Sequence, residues 1–290
     1  MNICVAINRC FVAGLRFGSK IIGGDDALIT EPFLMRILNG ICGFVAVAET
    51  AWIVFFLFAF QLPYEYEKHG LFPFTFLRIF FGLWLAFSVP YHYWKCRTAR
   101  PLKLPKTSTG SHCSICDGHK PKLTSHCSTC GTCIYKMDHH CPWVGQCVGA
   151  HNQAHFFLFI WNVFLSTVLV LYLEYEFWLE HWAQWTQAIQ QGTIRRGTGA
   201  AAFTLVIVSV LNFLMLSFLC TYGFLVSGGL TYVMKMFKKH SEDSKKKLTP
   251  NIVYRRWRQY LAVRRDEWML TAFFIPSDRV VRDFHFFHHS

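Results

Sequence analysis

The amino-acid sequence predicts an α-helical integral membrane protein with four transmembrane helices and a cytosolic cysteine-rich domain between helices 2 and 3. Three observations support this fold class. Hydrophobic residues make up 53% of the chain and the mean hydropathy is +0.27, which is too apolar for a soluble domain of this size. Long apolar runs alternate with polar stretches. Seven of the 12 cysteines lie in one polar segment, between Cys113 and Cys147.

The first part of the chain is predicted to contain two spans. Residues 1–36 form a cytosolic N-terminal segment with a turn sequence at residues 23–26. Residues 37–94 form transmembrane helices 1 and 2 with a short lumenal loop, because each apolar run is long enough to cross a core about 30 Å thick. Glu49 lies within the first run, where a carboxylate makes either an interhelical contact or a functional one. The pattern favours the interhelical contact.

The second part of the chain contains the polar segment and two more spans. Residues 95–155 form the predicted cysteine-rich domain, and residues 156–226 form transmembrane helices 3 and 4 with a lumenal loop at residues 180–199. Residues 227–290 form a basic cytosolic tail. The cysteine-rich segment carries eight Lys and Arg against two acids, and the tail carries 13 against six. Because basic segments stay on the cytosolic side, both termini and the cysteine-rich domain are predicted to be cytosolic.

The net charge of +12 follows from this topology and does not indicate nucleic-acid binding. A nucleic-acid-binding protein would need a basic face with interleaved aromatic residues on a soluble domain. The partner that the composition does predict is the lipid bilayer. In the tail, residues 252–274 alternate aromatic residues with arginines, which is typical either of an amphipathic stretch on an anionic leaflet or of a small packed domain.

The cysteine cluster predicts metal binding, because disulfides do not persist in the reducing cytosol. Cysteines at C-x2-C spacing, supplemented by histidine, are typical of four-coordinate structural zinc. Cys113 and Cys116 form one such pair, and residues 127–133 contain an overlapping run. Two Zn²⁺ ions need eight ligands, which either seven cysteines and one histidine or six cysteines and two histidines would supply. The spacing does not decide between these two sets.

Local chemistry suggests a second role for part of the cluster. Asp138, His139, His140 and Cys141 put an acid, two imidazoles and a thiol next to one another. A thiolate nucleophile needs a base or cation to lower its pKa, and a carboxylate that orients the base assists it. These residues therefore form a candidate catalytic group. The alternative is that His139 is a surface residue and Cys141 a metal ligand.

The segment resembles the cysteine-rich domain of the DHHC protein S-acyltransferases, also called palmitoyltransferases. The matching elements are Cys113-x2-Cys116, Lys120-Pro121, His126-Cys127-x2-Cys130-x2-Cys133, Met137 to Trp143, Cys147-Val148-Gly149, Asn152 and Phe156-Phe157. The four-span plan, with the cluster between spans two and three, extends the resemblance to the architecture. Residues 23–32 are similar to the Abl-philin-type branch of the family, which is usually placed in the endoplasmic reticulum.

The resemblance implies a role for each residue of the cluster. Cys141 would be the nucleophile, His139 its base, and Asp138 the residue that orients the base. The cofactors would be two structural Zn²⁺ ions, each bound by three cysteines and one histidine. The implied ligands are Cys113, Cys116, His126 and Cys133 for one ion, and Cys127, Cys130, His140 and Cys147 for the other.

The activity implied by the resemblance is protein S-palmitoyl transfer at the endoplasmic reticulum or Golgi membrane. Palmitoyl-CoA, or another long-chain acyl-CoA, would acylate Cys141, and the acyl group would pass to cysteines of membrane-associated substrate proteins. Ser166 aligns with a position that helps to limit chain length in the family, although helix packing also explains a serine there. The alternative functions are a catalytically weak, zinc-stabilised membrane adaptor of the same family, and a metal transporter, which would lack paired intramembrane ligands.

The supporting motifs of the family differ in this sequence. Gln146 stands where the family usually has asparagine, Leu123 replaces an arginine, and the Asp-Pro-Gly motif after span two is absent. The Thr-Thr-x-Glu motif is reduced to Thr231 and its neighbours, and the Asn-Trp motif to Arg256-Trp257. Because the predicted catalytic and zinc positions are intact, these changes put rate and substrate handling in doubt more than reaction type.

Overall fold

The computed structural model describes residues 27–56, 58–59, 62–70, 73–105, 110–192, 196–231, 234, 247–264 and 266–281. The helices are α1 (Ala27–Phe56), α2 (Leu62–His69), α3 (Pro73–Thr98), α4 (Gln153–Gln190), α5 (Arg196–Gly228), α6 (Pro250–Tyr260) and α7 (Thr271–Phe274). The strands are β1 (Ser111–Cys113), β2 (Gly118–Lys120), β3 (Thr124–Cys127), β4 (Thr132–Tyr135), β5 (His139–Cys141) and β6 (Gln146–Val148). The predicted turn at residues 23–26 and the side chain of Glu49 lie outside the described part.

Four long helices cover most of the four predicted spans and extend past several of their ends. α1 begins at Ala27, within the predicted N-terminal segment. α3 continues to Thr98 with Pro90 inside the helix, and it begins at Pro73, where the missing N–H removes no helical hydrogen bond. The loop predicted between the first two spans contains the short helix α2.

The prediction of a loop over residues 180–199 is wrong for most of that stretch. α4 continues to Gln190, and α5 begins at Arg196. The reason is that residues 180–191 contain neither glycine nor proline and are rich in alanine and glutamine, which favour a helix. Their polar composition indicates a water-exposed part of the helix and does not mark where the helix ends. Gly192, with a φ of +65°, marks the turn, and the lumenal location of this turn stays a prediction.

Two of the described helices are long and apolar enough to cross a membrane, judged by length and composition. They contain the segments Gln153–Tyr175 of α4 and Ala202–Gly228 of α5. α5 exposes large apolar side chains such as Phe213, and α1 and α3 do the same with Phe44 and Phe80. A water-soluble surface rarely carries so many exposed large apolar side chains, so these faces favour contact with lipid. The arrangement of four spans remains a prediction.

The largest apolar core lies where the helices meet the cysteine-rich domain. α4 packs against both α3 and α5. The buried side chains of this core come from α3, the β5–β6 hairpin, α4, α5 and the tail: Cys96, Cys141, Val144, Val148, Phe156, Phe157, Leu158, Ile160, Tyr222, Leu261, Val263 and Ala272. Cys141 therefore lies at the junction of the two parts and not on an outer surface.

The cysteine-rich domain consists of three antiparallel hairpins, β1–β2, β3–β4 and β5–β6. Strands of three or four residues are too short to bury a core of their own, so the domain needs crosslinks. The strand register supplies candidates for them, because His126 lies opposite Cys133 and His140 lies opposite Cys147. Directly opposed residues have close Cβ atoms, so the β3–β4 and β5–β6 hairpins each bring a histidine and a cysteine together.

Arg256 and Trp257 join the tail to the end of α5. The guanidinium of Arg256 is buried and donates a hydrogen bond to the carbonyl of Ser227, and Trp257 Nε1 donates to Ser227 Oγ at 3.2 Å. The chain leaves the helix at Gly229, whose φ is +68°, and a Cβ there would lie 2.9 Å from Arg256 Nε. The arginine of the reduced Asn-Trp motif thus satisfies a carbonyl at a helix end.

We expect Gly229→Ala to lower the melting temperature of the purified protein in detergent, measured by scanning fluorimetry. A side chain in the left-handed conformation costs about 1 kcal/mol or more, and the new Cβ would also displace the buried guanidinium. Gly223→Ala in α5 is the matched control, because no atom of the described residues lies within 4 Å of the added Cβ. Alanine there favours the helix by about 1 kcal/mol. Equal melting temperatures for the two variants would contradict this account of the helix end.

Candidate active site and metal centres

The first predicted metal set joins the β1–β2 and β3–β4 hairpins. The ligand atoms of Cys113, Cys116, His126 and Cys133 all lie within 4.8 Å of one another. His126 Nδ1 lies 3.6 Å, 3.3 Å and 3.8 Å from the three sulfurs in that order. The sulfurs of Cys116 and Cys133 are 3.6 Å apart. This distance excludes a disulfide, whose sulfurs are about 2.05 Å apart.

The second predicted metal set joins the β3–β4 and β5–β6 hairpins. Cys127, Cys130, His140 and Cys147 also place their ligand atoms within 4.8 Å of one another. His140 Nδ1 lies 3.7 Å, 3.3 Å and 3.8 Å from the three sulfurs, and the sulfurs of Cys130 and Cys147 are 3.5 Å apart. Since β3–β4 contributes to both sets, the two centres together link all three hairpins.

Both sets match the geometry of a tetrahedral ion. Bonds of about 2.3 Å to sulfur and about 2.0 Å to nitrogen give tetrahedral edges of roughly 3.5–3.8 Å, close to the separations between the ligand atoms. His126 and His140 direct Nδ1 at the sulfurs, and their Nε2 atoms are buried without a hydrogen-bond partner among the described residues. Four protein ligands leave no open position for a substrate. Each set could therefore hold one structural metal ion.

The third group of predicted site residues lies beside the second metal set. His139 Nδ1 is 2.9 Å from Oδ2 of Asp138, whose carboxylate is buried. His139 also lies close enough to Cys141 for each side chain to shift the pKa of the other. Because Asp138 engages Nδ1, the other ring nitrogen, Nε2, is the one left to exchange a proton with the thiol. The structure thus brings the three predicted catalytic residues together in the order acid, imidazole and thiol.

Strand geometry separates the two neighbouring histidines. Successive side chains of a strand point to opposite faces, so His139 and Cys141 share one face of β5 and His140 lies on the other. His140 accordingly lies among the sulfurs of the second set. The opposite face meets α4, where the ring of His139 packs edge-on against Phe156 with centroids 5.2 Å apart.

Electrostatics favours a charged pair of His139 and Cys141. Burial raises the pKa of the Cys141 thiol, but His139 and the backbone N–H groups of Trp143 and Val144 outweigh burial and lower it. Burial lowers the pKa of His139, but Asp138 and Cys141 outweigh this effect and raise the pKa to about 10. Both directions favour a thiolate beside an imidazolium, which is the reactive form of a cysteine nucleophile.

Tyr222 is a site residue that sequence reasoning missed. Its hydroxyl donates to Asp138 Oδ2 at 2.5 Å and lies 3.5 Å from His139 Nδ1. Its ring packs edge-on against Phe156. Tyr222 occurs within the apolar run of α5, where nothing in the sequence distinguishes it from an aromatic residue that only packs. It ties the buried carboxylate to α5 and stabilises the charged form of Asp138.

Two amides tie the β5–β6 hairpin to the end of α3. Gln146 Nε2 and Asn152 Nδ2 both donate to the carbonyl of Cys96, the latter at 3.1 Å. Asn152 also donates to the carbonyl of Cys147 at 3.1 Å and accepts from the N–H of Gly149 at 3.0 Å. Gln146, which departs from the family pattern, therefore has a side chain that reaches the helix end.

Residues 106–239 match the family model described as DHHC palmitoyltransferase. This part of the chain belongs to the DHHC family. The predicted family is thereby confirmed, whereas the Abl-philin-type branch stays a prediction. The comparison with curated proteins found no match to the chain. The DHHC domain includes the three hairpins, α4 and α5, and hence both metal sets, the acid–imidazole–thiol group and Tyr222.

We expect His139→Ala and His140→Ala to separate the two roles within the DHHC domain. His140→Ala removes one of four ligands and should lower the metal content by about one ion per chain. His139→Ala should keep its metal, because its side chain lies on the other face of β5, but its Cys141 should react more slowly with iodoacetamide. Elemental analysis and mass spectrometry of the Cys141 peptide measure the two effects. Equal metal loss in both variants would contradict this division.

Proposed function

We propose that the chain is a protein S-palmitoyltransferase that works through a thioester on Cys141. One observation carries this proposal: Cys141 stands apart from both closed four-ligand sets and shares one face of β5 with His139, which Asp138 holds in turn. A thiol that served only the fold would need neither neighbour. The long-chain acyl-CoA, the substrate proteins and the identity of the metal as zinc are parts of the proposal, supported by the DHHC domain.

The proposed reaction consists of two thioester exchanges. In the first, the Cys141 thiolate attacks the carbonyl carbon of acyl-CoA, the bond from this carbon to the CoA sulfur breaks, and CoA leaves with a proton from His139. In the second, a substrate cysteine gives its proton to His139, and its sulfur attacks the acyl-enzyme. Cys141 then leaves as the thiolate. Because each step replaces one thioester with another, no further energy source is needed.

The two Zn²⁺ ions have a structural role in this proposal. The assignment uses Cys113, Cys116, His126 and Cys133 for one ion, and Cys127, Cys130, His140 and Cys147 for the other. Closed sets of three thiolates and one imidazole are typical of structural zinc. The ions would crosslink hairpins that are too short to fold alone. Asp138, His139 and Cys141 alone would carry the chemistry.

The acyl chain is proposed to lie between α1, α3 and α4. A half-open cavity lies there, with about 550 Å³ of empty space when its open side is included, and it is lined mostly by small and β-branched side chains, including Thr50, Val54, Gly82, Ala86, Val163 and Ser166. Val163 lies one turn from Ile160, which packs in the same core as Cys141. Each buried methylene contributes about 0.8 kcal/mol, so this cavity would supply much of the affinity for acyl-CoA.

The proposed membrane arrangement places this cavity in the bilayer and the nucleophile at its cytosolic edge. Four spans and a cytosolic DHHC domain leave both termini in the cytosol, where acyl-CoA and membrane-associated substrates meet the enzyme. The exposed apolar faces of α1, α3 and α5 support lipid contact. A location in the endoplasmic reticulum or Golgi rests on the resemblance alone.

The first test of the proposed function is labelling of the purified protein with radioactive palmitoyl-CoA in detergent. We expect the wild type to take up label that hydroxylamine removes, and Cys141→Ser to take up none, because the serine hydroxyl is not ionised at neutral pH. Cys220→Ser is the control, since this exposed cysteine of α5 lies outside the site. A wild type that takes up no label would favour the zinc-stabilised adaptor instead.

The second test concerns Ser166, whose hydroxyl donates to the carbonyl of Asn162 at 2.8 Å and so offers the cavity no free donor. Ser166→Phe should fill the cavity, and the misfit should reduce acylation by stearoyl-CoA relative to myristoyl-CoA by about tenfold. Val168→Phe adds the same ring on the exposed face of α4 and should leave the ratio unchanged. The rates of auto-acylation with the two donors give this ratio. The same ratio in both variants would place the acyl chain elsewhere.

A further inference from the structure

The loop after Cys141 is held from two opposite sides. On the side of the thiol, the backbone N–H groups of Trp143 and Val144 help to lower the pKa of Cys141. The N–H of Gly145 donates to the Cys141 carbonyl at 2.8 Å. These contacts wrap the loop around the proposed nucleophile.

On its far side, the loop contacts two side chains of α3. The hydroxyl of Tyr93 donates to the carbonyl of Trp143 at 3.1 Å, and Arg97 Nη1 donates to the carbonyl of Val144 at 3.2 Å. Arg97 Nη1 also donates to the Tyr93 hydroxyl at 3.3 Å. The two side chains are four residues apart and therefore neighbours on one helix face. The reaction proposed above uses neither of them.

The planarity of the peptide bond connects the two sides. The carbonyl of Trp143 and the N–H of Val144 belong to one trans peptide unit, so they point in opposite directions. Tyr93 therefore holds the oxygen of the unit whose N–H helps to lower the pKa of Cys141. In the next peptide unit, Arg97 binds the carbonyl of Val144, and the N–H of Gly145 binds the Cys141 carbonyl. A hydrogen bond to the carbonyl fixes the peptide plane and polarises its N–H as a stronger donor.

The backbone leaves room for the guanidinium at two glycines. A Cβ at Gly43 of α1 would lie 3.2 Å from Arg97 Nη1, and one at Gly145 would lie 3.3 Å from the same atom. Gly145 also has a φ of +75°, a backbone conformation that residues other than glycine rarely adopt. Arg97 itself is exposed, so its substitution removes little buried packing.

We propose that Tyr93 and Arg97 are positioning residues for acyl transfer. They hold two successive peptide units of the loop, of which the second binds the Cys141 carbonyl through the N–H of Gly145, and so fix the position of Cys141. The Cys141 sulfur attacks in the first exchange and leaves in the second, so the same positioning serves both steps. This inference rests on the proposed function, but the positioning itself has a consequence for Cys141 that needs no acyl-CoA.

The test compares Tyr93→Phe and Arg97→Met with the wild type, each purified with its metal content measured. The rate of Cys141 alkylation by iodoacetamide should fall roughly fivefold in each variant, the effect of one lost hydrogen bond. The kcat of auto-acylation by palmitoyl-CoA should fall by a similar factor, with KM and metal content unchanged. Arg97→Lys keeps a donor for the Val144 carbonyl and should recover most of the rate.

The controls are Tyr91→Phe and Arg100→Met. They remove a hydroxyl and a guanidinium close to Tyr93 and Arg97, and neither group hydrogen-bonds to the loop among the described residues. Both should react like the wild type. Unchanged alkylation in Tyr93→Phe and Arg97→Met would overturn the positioning role, and so would slow alkylation that accompanies loss of metal. If alkylation slows as expected but the wild type takes no label from palmitoyl-CoA, the proposed function fails and the positioning of Cys141 stands.

Discussion

The pairing of β5 with β6 is the constraint on which the rest of the site depends. A strand sends successive side chains to opposite faces, so His140 faces the second metal set while His139 and Cys141 face the helices. A strand of three residues could not hold this alternation alone. Metal ligands hold one face, and the apolar core with Phe156 holds the other. The alternation of the strand therefore assigns His139 and His140 to different sites, although they are adjacent in sequence.

The site lies at the junction with the helices, away from bulk water, where the interactions between its charged groups are stronger. Asp138 is buried, and its carboxylate receives hydrogen bonds from His139 and from Tyr222 of α5. Away from bulk water such bonds are stronger, but an unpaired charge costs more, so the group is stable only as a complete network. The same junction suits the proposed reaction, because an apolar chain can enter between the helices while a polar head stays in water.

Local features of the site were predictable from the sequence, and long-range ones were not. The ligands of both metal sets lie close together in sequence, but spacing left their identity and pairing open, and the assignment came from family resemblance. The hairpin register, with His126 opposite Cys133, gives a physical reason for that pairing. Tyr222 could not be predicted, since it lies 84 residues from Asp138 within an apolar run. Residues 180–190 were predicted to be a loop because they are polar, but polarity indicates exposure to water and does not exclude a helix.

The loss of the family's supporting motifs would argue for an adaptor only if no other residues made structural contacts in their place. Arg256 binds a carbonyl at the end of α5, Gln146 reaches the end of α3, and Thr231 donates to the carbonyl of Met137, next to Asp138. Leu123, in place of an arginine, packs with the apolar cluster around Tyr135. The supports are therefore different rather than absent. A buried acid–imidazole–thiol network costs stability that an adaptor has no reason to bear, which is the physical argument for the proposed transferase function.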